Sequence, residues 1–304
     1  MNRILNCVVC MLVAVLLIVV VPGSSWAYRQ NGFLNFGSTG ALDAVLPPPG
    51  LYGSLYNVYY AADRFNDGNG DKLAGLDHKL DVVAVCPQFF YIFDTKIGGL
   101  TPGAQVLGGF QSFDVESPIL TSGRSGLTDL CVGAFAGGNV KLTENSTLFY
   151  VFEFDTYVPI GRYDETRAVN PGSNFYTFEP FVSLTWMLPH GFEISSRIHY
   201  TVNTENRDKD ETGGDAFHLN YTATKTVFSD NFRLGIHGYY LQQLEEDEVN
   251  GIDVKDSEER VFSIGPAMVL NHKGTCYNLS AMFESGVENR SKGSKIVLRI
   301  IQKL

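Results

Sequence analysis

The most constraining feature of this sequence is a two-residue alternation that persists over unusually long segments. Residues 146–160 read STLFYVFEFDTYVPI, with apolar or uncharged side chains at every even position from Leu148 onward and with Glu153 and Asp155 at odd positions. Side chains alternate between the two faces of a β-strand, so one face here is uniformly apolar and the other is mixed. Strands in globular proteins commonly have about 5–6 residues. A strand this long, whose more uniform face is apolar, is typical of one that faces lipid.

Similar alternation recurs along the chain, and the connections between the alternating segments differ in length. Short turns at residues 188–191, 228–231 and 271–274 are separated by longer polar loops. An up-and-down barrel with one plain rim and one elaborated rim has this rhythm. The sequence therefore predicts an all-β fold, an up-and-down antiparallel transmembrane β-barrel of about 12 strands. The predicted strands are residues 50–62, 76–93, 99–114, 126–141, 146–160, 173–188, 191–205, 214–228, 231–245, 258–271, 274–288 and 293–304. The predicted long loops are residues 63–75, 115–125, 161–172, 204–213 and 244–257.

The physics of the bilayer supports this interpretation. Lipid cannot hydrogen-bond a strand's backbone, so a sheet inside a membrane has to close on itself. A tilted strand crosses the hydrocarbon with about 9–11 residues, and the predicted strands are long enough to do so. The apolar face would then meet lipid and the mixed face the lumen. A soluble sandwich or lipocalin-like barrel would place the mixed face outside, and it remains the alternative.

The first residues have the composition of a secretory leader. Arg3 precedes a long apolar run, and Ser25-Trp26-Ala27 supplies a small-residue cleavage pattern. We therefore divide the chain into a signal peptide (1–27), an N-terminal segment (28–49) and a barrel (50–304). The expected location is the outer membrane of a Gram-negative bacterium, reached by export and by the barrel-assembly machinery. A retained membrane anchor is the alternative for residues 1–27.

Residues 28–49 precede the first predicted strand and end in the stiff run Leu46-Pro47-Pro48-Pro49. The segment is apolar and rich in glycine, and we hypothesise that it folds inward and plugs the lumen. A tail on the periplasmic side is the alternative. The apolar side chains that would serve as the plug are Phe33, Leu34, Phe36, Leu42 and Leu46.

Polar side chains on the mixed faces are predicted to share one wet interior. They either form a lining that selects or guides a solute, or a layer of paired charges that only stabilises the barrel. The predicted lumen-lining residues are Glu153, Asp155, Glu179, Glu193, Arg197, His199, Asn203, Asn220, Arg233 and His237.

Composition argues against nucleic acid as a partner and against a disulfide framework. The chain has a net charge of −10 and no basic patch, which argues against nucleic acid. Beyond the leader, Cys86, Cys131 and Cys276 are too few and too scattered for a disulfide framework. We expect no cofactor. The acidic run at residues 245–248 is interpreted as a solvated loop that divalent cations could bridge to lipopolysaccharide.

We expect no dedicated metal site. Asp67, Asn69 and Asp71 have the spacing of a calcium loop and form the one weak candidate. Lys72 occupies the position of the expected glycine, and no glutamate closes the loop.

Five prolines lie inside or at the ends of predicted strands. Proline removes a donor from a β-ladder and favours edges or bulges. These residues therefore indicate either ordinary bulges or gaps in the wall through which a solute could leave sideways. They are Pro87, Pro102, Pro159, Pro180 and Pro266.

Six short motifs, in order along the chain, resemble the outer-membrane family named for the meta-pathway of phenol degradation. They are FLNFGSTGALDAVLPPPGLY (33–52), GLTDL (126–130), PIGRYD (159–164) followed by Asn174, YTVNTEN (200–206), GYYLQQLEEDEVNG (238–251) and IGPAM (264–268). The resemblance covers nearly the whole chain after the leader. It implies a membrane barrel and a role in taking up aromatic or other hydrophobic compounds, without catalytic residues. Leu304 departs from the aromatic residue that usually ends outer-membrane barrels.

The function expected from these observations is passive uptake of small hydrophobic or aromatic compounds, with lipid and lipopolysaccharide around the barrel. A filled barrel that acts structurally or through its loops is the first alternative. An outer-membrane lipid or ester hydrolase is the second. Ser195 and His199 share a strand face but lie about 13 Å apart, too far to form a catalytic pair.

Overall fold

The computed structural model describes residue 30 and residues 35–117, 120–167 and 169–304. The predicted signal peptide (1–27) and the plug candidates Phe33 and Leu34 lie outside the described residues. Within them, no helix has the length and hydropathy needed to cross a membrane.

The described chain is built almost entirely from β-strands. The wall of the fold is formed by β1 (Gly50–Phe65), β2 (Lys79–Ile92), β3 (Thr101–Leu107), β4 (Phe110–Ser117), β5 (Leu120–Leu127), β6 (Leu130–Thr143), β7 (Ser146–Val158), β8 (Thr177–Met187), β9 (Phe192–Asn203), β11 (Ala216–Thr226), β12 (Phe232–Gln243), β15 (Arg260–His272), β16 (Thr275–Glu288) and β17 (Ser291–Lys303). Three short strands, β10 (Glu211–Thr212), β13 (Asp247–Val249) and β14 (Ile252–Val254), form a small separate sheet, and a 3-10 helix covers Pro189–Gly191.

The wall closes because β1 pairs with both β17 and β2. Tyr56, for example, lies opposite Arg299 on one side and Cys86 on the other. All pairings are antiparallel, and the ring runs β1-β2-β3-β6-β7-β8-β9-β11-β12-β15-β16-β17 before returning to β1. The predicted barrel of about 12 strands is confirmed.

The two faces of the wall differ as the alternation predicts. On β7, Phe152 and Phe154 are 51% and 50% exposed on the outer face, whereas Asp155 is buried on the inner one. Glu179 and Glu193 on the next two strands are wholly buried inside the barrel. An apolar exterior around a polar interior is the arrangement of a membrane barrel, and a soluble barrel would have the reverse.

The predicted loop at residues 115–125 is wrong, because β4 and β5 continue through it as a hairpin. Their ladder runs from Phe110 opposite Leu127 to Ser117 opposite Leu120. The sequence misled because a strand that rises beyond the hydrocarbon no longer needs an apolar face. The two long strands are broken instead in their middle, at Gly108-Gly109 and Thr128-Asp129.

Parts of two other predicted loops are also strands. Residues 204–213 contribute β10 and residues 244–257 contribute β13 and β14, and Glu211 pairs with Val249 across them. This small sheet lies on the rim that carries the long loops, and we call it the loop rim. The opposite rim carries the tight turns, such as Asn271 to Thr275.

Two of the five prolines interrupt the ladder on one side only. Pro180 pairs with Phe154 on β7, but the ladder from β8 to β9 skips from Phe178 to Phe181. Likewise, Pro266 pairs with Ile236 on β12 and lacks a partner on β16. These interruptions are local and leave the register unchanged. The lateral exit inferred from the prolines stays a prediction.

The N-terminal segment lies inside the barrel. Gln30 contacts Gly214 and Gln243 at the loop rim, and the chain reaches β1 at Gly50 on the turn rim. The described part of the segment therefore crosses the lumen from rim to rim. These contacts support the hypothesis that the segment folds inward, and its role as a plug stays a prediction.

The outer face generates a testable prediction about membrane depth. Phe152 lies at the middle of β7, whereas Phe228, 92% exposed, lies in the turn after β11. Phe152→Arg should lower the free energy of unfolding in lipid vesicles by about 2–4 kcal/mol, since it places a charge in hydrocarbon. Phe228→Arg should cost about 0–1 kcal/mol. Urea titrations followed by Trp186 fluorescence measure both, and equal losses would contradict the orientation.

Candidate functional site

Wall side chains hydrogen-bond the backbone of the N-terminal segment. The N–H of Gly37 donates to Asn220 Oδ1 at 2.7 Å, that of Leu42 to Glu193 Oε1 at 3.0 Å, and that of Ala44 to Thr185 Oγ1 at 3.0 Å. The described part of the segment has no strand or helix of its own, so its buried backbone groups depend on such partners. The wall therefore holds the segment in one place and one conformation.

The strongest anchor of the segment is an ion pair at Asp43. Arg197 donates from Nε and Nη2 to the two carboxylate oxygens of Asp43 at 2.7 Å and 3.0 Å. Ser183 Oγ donates to Oδ2 at 3.0 Å, and Arg299 Nη1 lies 3.7 Å from Oδ1. A bidentate arginine–carboxylate contact fixes both position and orientation. Asp43 therefore joins the segment to three strands, β8, β9 and β17.

The upper part of the segment is held by amides and by one lysine. Asn203 donates to Gln30 Oε1 at 3.0 Å, and Asn220 Nδ2 donates to the carbonyl of Asn35 at 2.7 Å. Lys295 Nζ donates to the carbonyl of Phe36 at 2.8 Å and lies 4.9 Å from the ring centre of Tyr239. Four of the predicted lumen residues, Glu193, Arg197, Asn203 and Asn220, thus contact the segment.

The other six predicted lumen residues contact one another or neighbouring wall residues. Gln105 Nε2 donates to Glu153 at 2.6 Å and to both oxygens of Asp155 at 2.9 Å. Glu179 contacts His199. These contacts lie within the wall.

Arg233 and His237 complete the set. Arg233 donates to Thr224, Thr226 and the carbonyl of Gly191, and His237 Nδ1 lies 3.0 Å from Ser280 Oγ. The lumen is therefore rich in paired polar groups. That any of the ten guides a solute stays a prediction.

Three plug candidates lie within the described residues. Phe36 is 6% exposed and belongs to a buried cluster with Tyr239 and Met282. Leu46 packs near the turn rim against a second cluster that contains Ile92, Phe135 and Val151. Leu42 has a positive φ of 63°, which turns the chain just before Asp43.

A cavity of about 130 Å³ lies on the side of the lumen that the segment leaves free. Its wall is mostly apolar and aromatic, whereas four charged side chains line one part of it. The lining residues from the wall strands are Tyr56, Val58, Tyr60, Leu80, Val82, Ala84, Cys86, Leu107, Gln111, Phe113, Glu284 and Lys295. Glu259 and Arg290 on the loop rim form an ion pair, and Gln30, Asn35, Phe36 and Ser38 contribute from the segment.

The cavity is separated from the turn rim by the lower part of the segment. Ala44 and Leu46 pack there with Tyr52, Ile92 and Phe135 in one apolar cluster. Above this cluster, Tyr56 hydrogen-bonds Gln88, and Gln88 in turn contacts Gln105. The lumen thus has free space on one side and is packed with apolar side chains below it.

A protein-family model described as "Putative MetA-pathway of phenol degradation" matches residues 62–300. The chain belongs to this family. The resemblance seen in the sequence motifs is thereby confirmed. No curated protein matches the sequence.

Solved structures support the fold of this family member. The COG4313 outer membrane channel from Pseudomonas putida F1 is 17% identical and superposes with a TM-score of 0.75, over 85% of this chain and 97% of that one. Two barrels are more distant. They are the β domain of the Bordetella autotransporter BrkA (12% identity, TM-score 0.46, 85% of this chain and 100% of that one covered) and the translocator domain of NalP from Neisseria meningitidis (10%, 0.44, 85% and 90%).

Two family motifs meet at the break between β5 and β6. Asp129 of GLTDL accepts hydrogen bonds from the N–H groups of Gly161 at 3.0 Å and Ser173 at 2.9 Å. Gly161 belongs to PIGRYD, and a side chain there would collide with Gly172. Among the described residues, β5 pairs with β4 alone. The loop that follows β7 therefore covers the free edge of β5 and is fastened there by Asp129.

A third family motif joins the same loop. Asn174 Nδ2 donates to Asn206 Oδ1 at 3.0 Å, and Asn206 Nδ2 donates to Tyr163 Oη at 3.0 Å. At the same loop, hydrogen bonds from Thr166 and Arg124 lower the pKa of the partly exposed Asp164 carboxyl to about 2. The motifs thus organise the loop rim.

Sequence reasoning missed three residues of this site. Asp43 and Lys295 make the segment contacts described above, and His218 lies directly opposite His199 and hydrogen-bonds Glu179. Alternation does place His218 and Lys295 on inner faces. What the sequence lacks is the register between strands, which decides the partners.

The weak metal candidate and the cysteines have ordinary roles. Asp67 Oδ1 accepts the N–H groups of Asn69 at 2.9 Å and Asp71 at 3.0 Å, as in a polar turn. Cys86, Cys131 and Cys276 are free. Among the described residues, one group of metal-binding type is found elsewhere, at Glu179, His199 and His218.

For the hydrolase alternative, the structure gives a mixed result. Ser195 bonds Thr185 and Glu193 and makes no catalytic pair with His199. Ser280 does contact His237, but His237 Nε2 has no hydrogen-bond partner. An orienting group on that nitrogen is what a serine–histidine pair needs.

The ion pair at Asp43 generates the second prediction. Asp43→Asn leaves the Arg197 guanidinium buried without its counter-charge, which should destabilise the docked segment by roughly 3 kcal/mol. Hydrogen exchange at the amides of Leu42 and Ala44 should therefore accelerate strongly, while the wall strands stay protected. Asp94→Asn, in an exposed turn, is the matched control. Unchanged exchange in the Asp43 variant would show that the ion pair does not hold the segment.

Proposed function

We propose that this chain is an outer-membrane channel for passive uptake of small hydrophobic or aromatic compounds into the periplasm. In this proposal the leader directs export, the barrel-assembly machinery inserts the barrel, and lipid and lipopolysaccharide surround it. The single observation that carries the proposal is the mainly apolar cavity of about 130 Å³ inside the barrel.

The cavity suits a compact apolar solute. Ligand sites are typically apolar concavities with a few polar groups that fix orientation. Here Val82, Ala84 and Phe113 supply apolar surface, and the tyrosines on β1 supply aromatic surface. A lumen that only stabilised the barrel would be expected to fill this space with side chains.

Passage beyond the cavity requires the N-terminal segment to move. The apolar cluster around Ala44 and Leu46 closes the lower lumen, and the segment is attached by hydrogen bonds and one ion pair. Such contacts are reversible, and Phe36 of the segment lines the cavity directly. A solute that enters the cavity from the loop rim would therefore contact the N-terminal segment before it reaches the turn rim.

A matched pair of substitutions tests the role of the cavity. Ala84→Trp should fill the cavity and remove most of the uptake of radiolabelled toluene by intact cells that make the barrel. Val83→Trp changes the adjacent residue, which is 50% exposed on the lipid face, and should leave uptake unchanged. Uptake is compared at equal amounts of barrel in the outer membrane. Equal uptake by both variants would refute the cavity as the route.

Removing residues 28–46 tests the plug separately. The shortened barrel should pass more current in planar bilayers than the full mature chain, because the segment no longer occupies the lumen. A current that is unchanged by the deletion contradicts the plug. Absence of current in both proteins would support the alternative of a filled structural barrel.

A further inference from the structure

Glu179, His199 and His218 form a compact buried group that the uptake proposal does not use, and we call it the Glu–His–His cluster. Its members come from three adjacent strands, β8, β9 and β11. Alternation turns all three inward, and the register places His199 directly opposite His218. All three are at most 1% exposed.

Both imidazoles converge on one carboxylate oxygen. Glu179 Oε1 lies 3.0 Å from His199 Nδ1 and is hydrogen-bonded to His218 Nε2. The two rings stack with their centres 3.9 Å apart. One potential ligand atom from each residue lies within 4.8 Å of the others.

Hydrogen bonding alone leaves the cluster poorly satisfied. His199 Nε2 and His218 Nδ1 are buried without a hydrogen-bond partner, so two of the four ring nitrogens lack one. Leaving a buried polar atom unpaired costs about 1–3 kcal/mol. Two histidines buried beside a glutamate in this way add little to the stability of the barrel, unless a further atom binds to the cluster.

We propose that the Glu–His–His cluster binds a divalent transition-metal ion of the zinc class. Two imidazole nitrogens and one carboxylate oxygen are a common ligand set for zinc, which leaves a fourth position for water or solute. Magnesium and calcium prefer oxygen ligands and are disfavoured by two imidazoles. Tetrahedral ligand atoms with bonds of about 2.0–2.2 Å lie roughly 3.4 Å apart, so Glu179 Oε1 has to move away from both imidazole nitrogens to admit the ion.

The surroundings of the cluster suit a bound ion. Tyr157 Oη donates to Glu179 Oε2 at 3.0 Å, which orients the carboxylate as a second layer of contacts does around metals. The ring of Phe181 lies 4.6 Å from that of His199, and Phe36 stands edge-on 5.0 Å from the ring of His218. Phe36 belongs to the N-terminal segment, so the docked segment covers the site and slows exchange of the ion.

Zinc retention by the full mature chain tests the proposal. Tag-free protein in detergent is treated with a chelator, loaded with zinc chloride and desalted, and the bound zinc is measured by mass spectrometry. The expected result is about one zinc per chain. His218→Asn should lose most of this zinc, whereas His272→Asn, an exposed histidine at the end of β15, should retain it. The proposal is overturned if the unmutated protein retains no zinc, or if the two variants retain equal amounts of it.

A second measurement covers the case in which His218→Asn does not fold. X-ray absorption at the zinc edge of the unmutated protein should show two imidazole ligands and one oxygen ligand from the chain. Zinc that is bound without imidazole scattering refutes the site. Neither measurement depends on solute uptake, so the two proposals fail or succeed independently.

Discussion

The closure of the wall is the constraint on which the rest of the structure depends. Lipid leaves backbone groups without partners, so the sheet joins β1 to β17 and turns its apolar side outward. The polar side chains are then enclosed together and have to satisfy one another. The N-terminal segment takes part in this, because Asp43 and several of its backbone N–H groups pair with wall residues such as Arg197 and Asn220.

The fold could be predicted from the local alternation of side chains. The contacts of the site could not, because they depend on the register between strands that are far apart in sequence. The long strands and their faces could be predicted because each depends on neighbours two residues away. The inward placement of Arg197 followed from its strand, but its partner Asp43 lies 154 positions earlier. The hairpin of β4 and β5 was missed for a related reason. Its strands are held by a backbone ladder, and their side chains do not show the apolar alternation of the lipid-facing strands. Such pairings are set by three-dimensional closure and leave no local pattern.

The enclosed space is divided between two chemistries. Polar contacts concentrate where the segment meets β8, β9 and β11, whereas the free half against β1, β2 and β4 is largely apolar. Most of the paired charges and the largely apolar cavity therefore occupy different sides of the same barrel. The family motifs lie mainly at the loop rim, where Asp129 and Asn206 fasten the covering loop.

The path of the N-terminal segment bears on how the molecule is assembled. The segment runs through the barrel from one rim to the other. Inserting it into a barrel that had already closed would require Asp43 and Phe36 to pass through a densely packed lumen. Sealing the β1–β17 seam around a segment already laid along β8 to β12 avoids that passage.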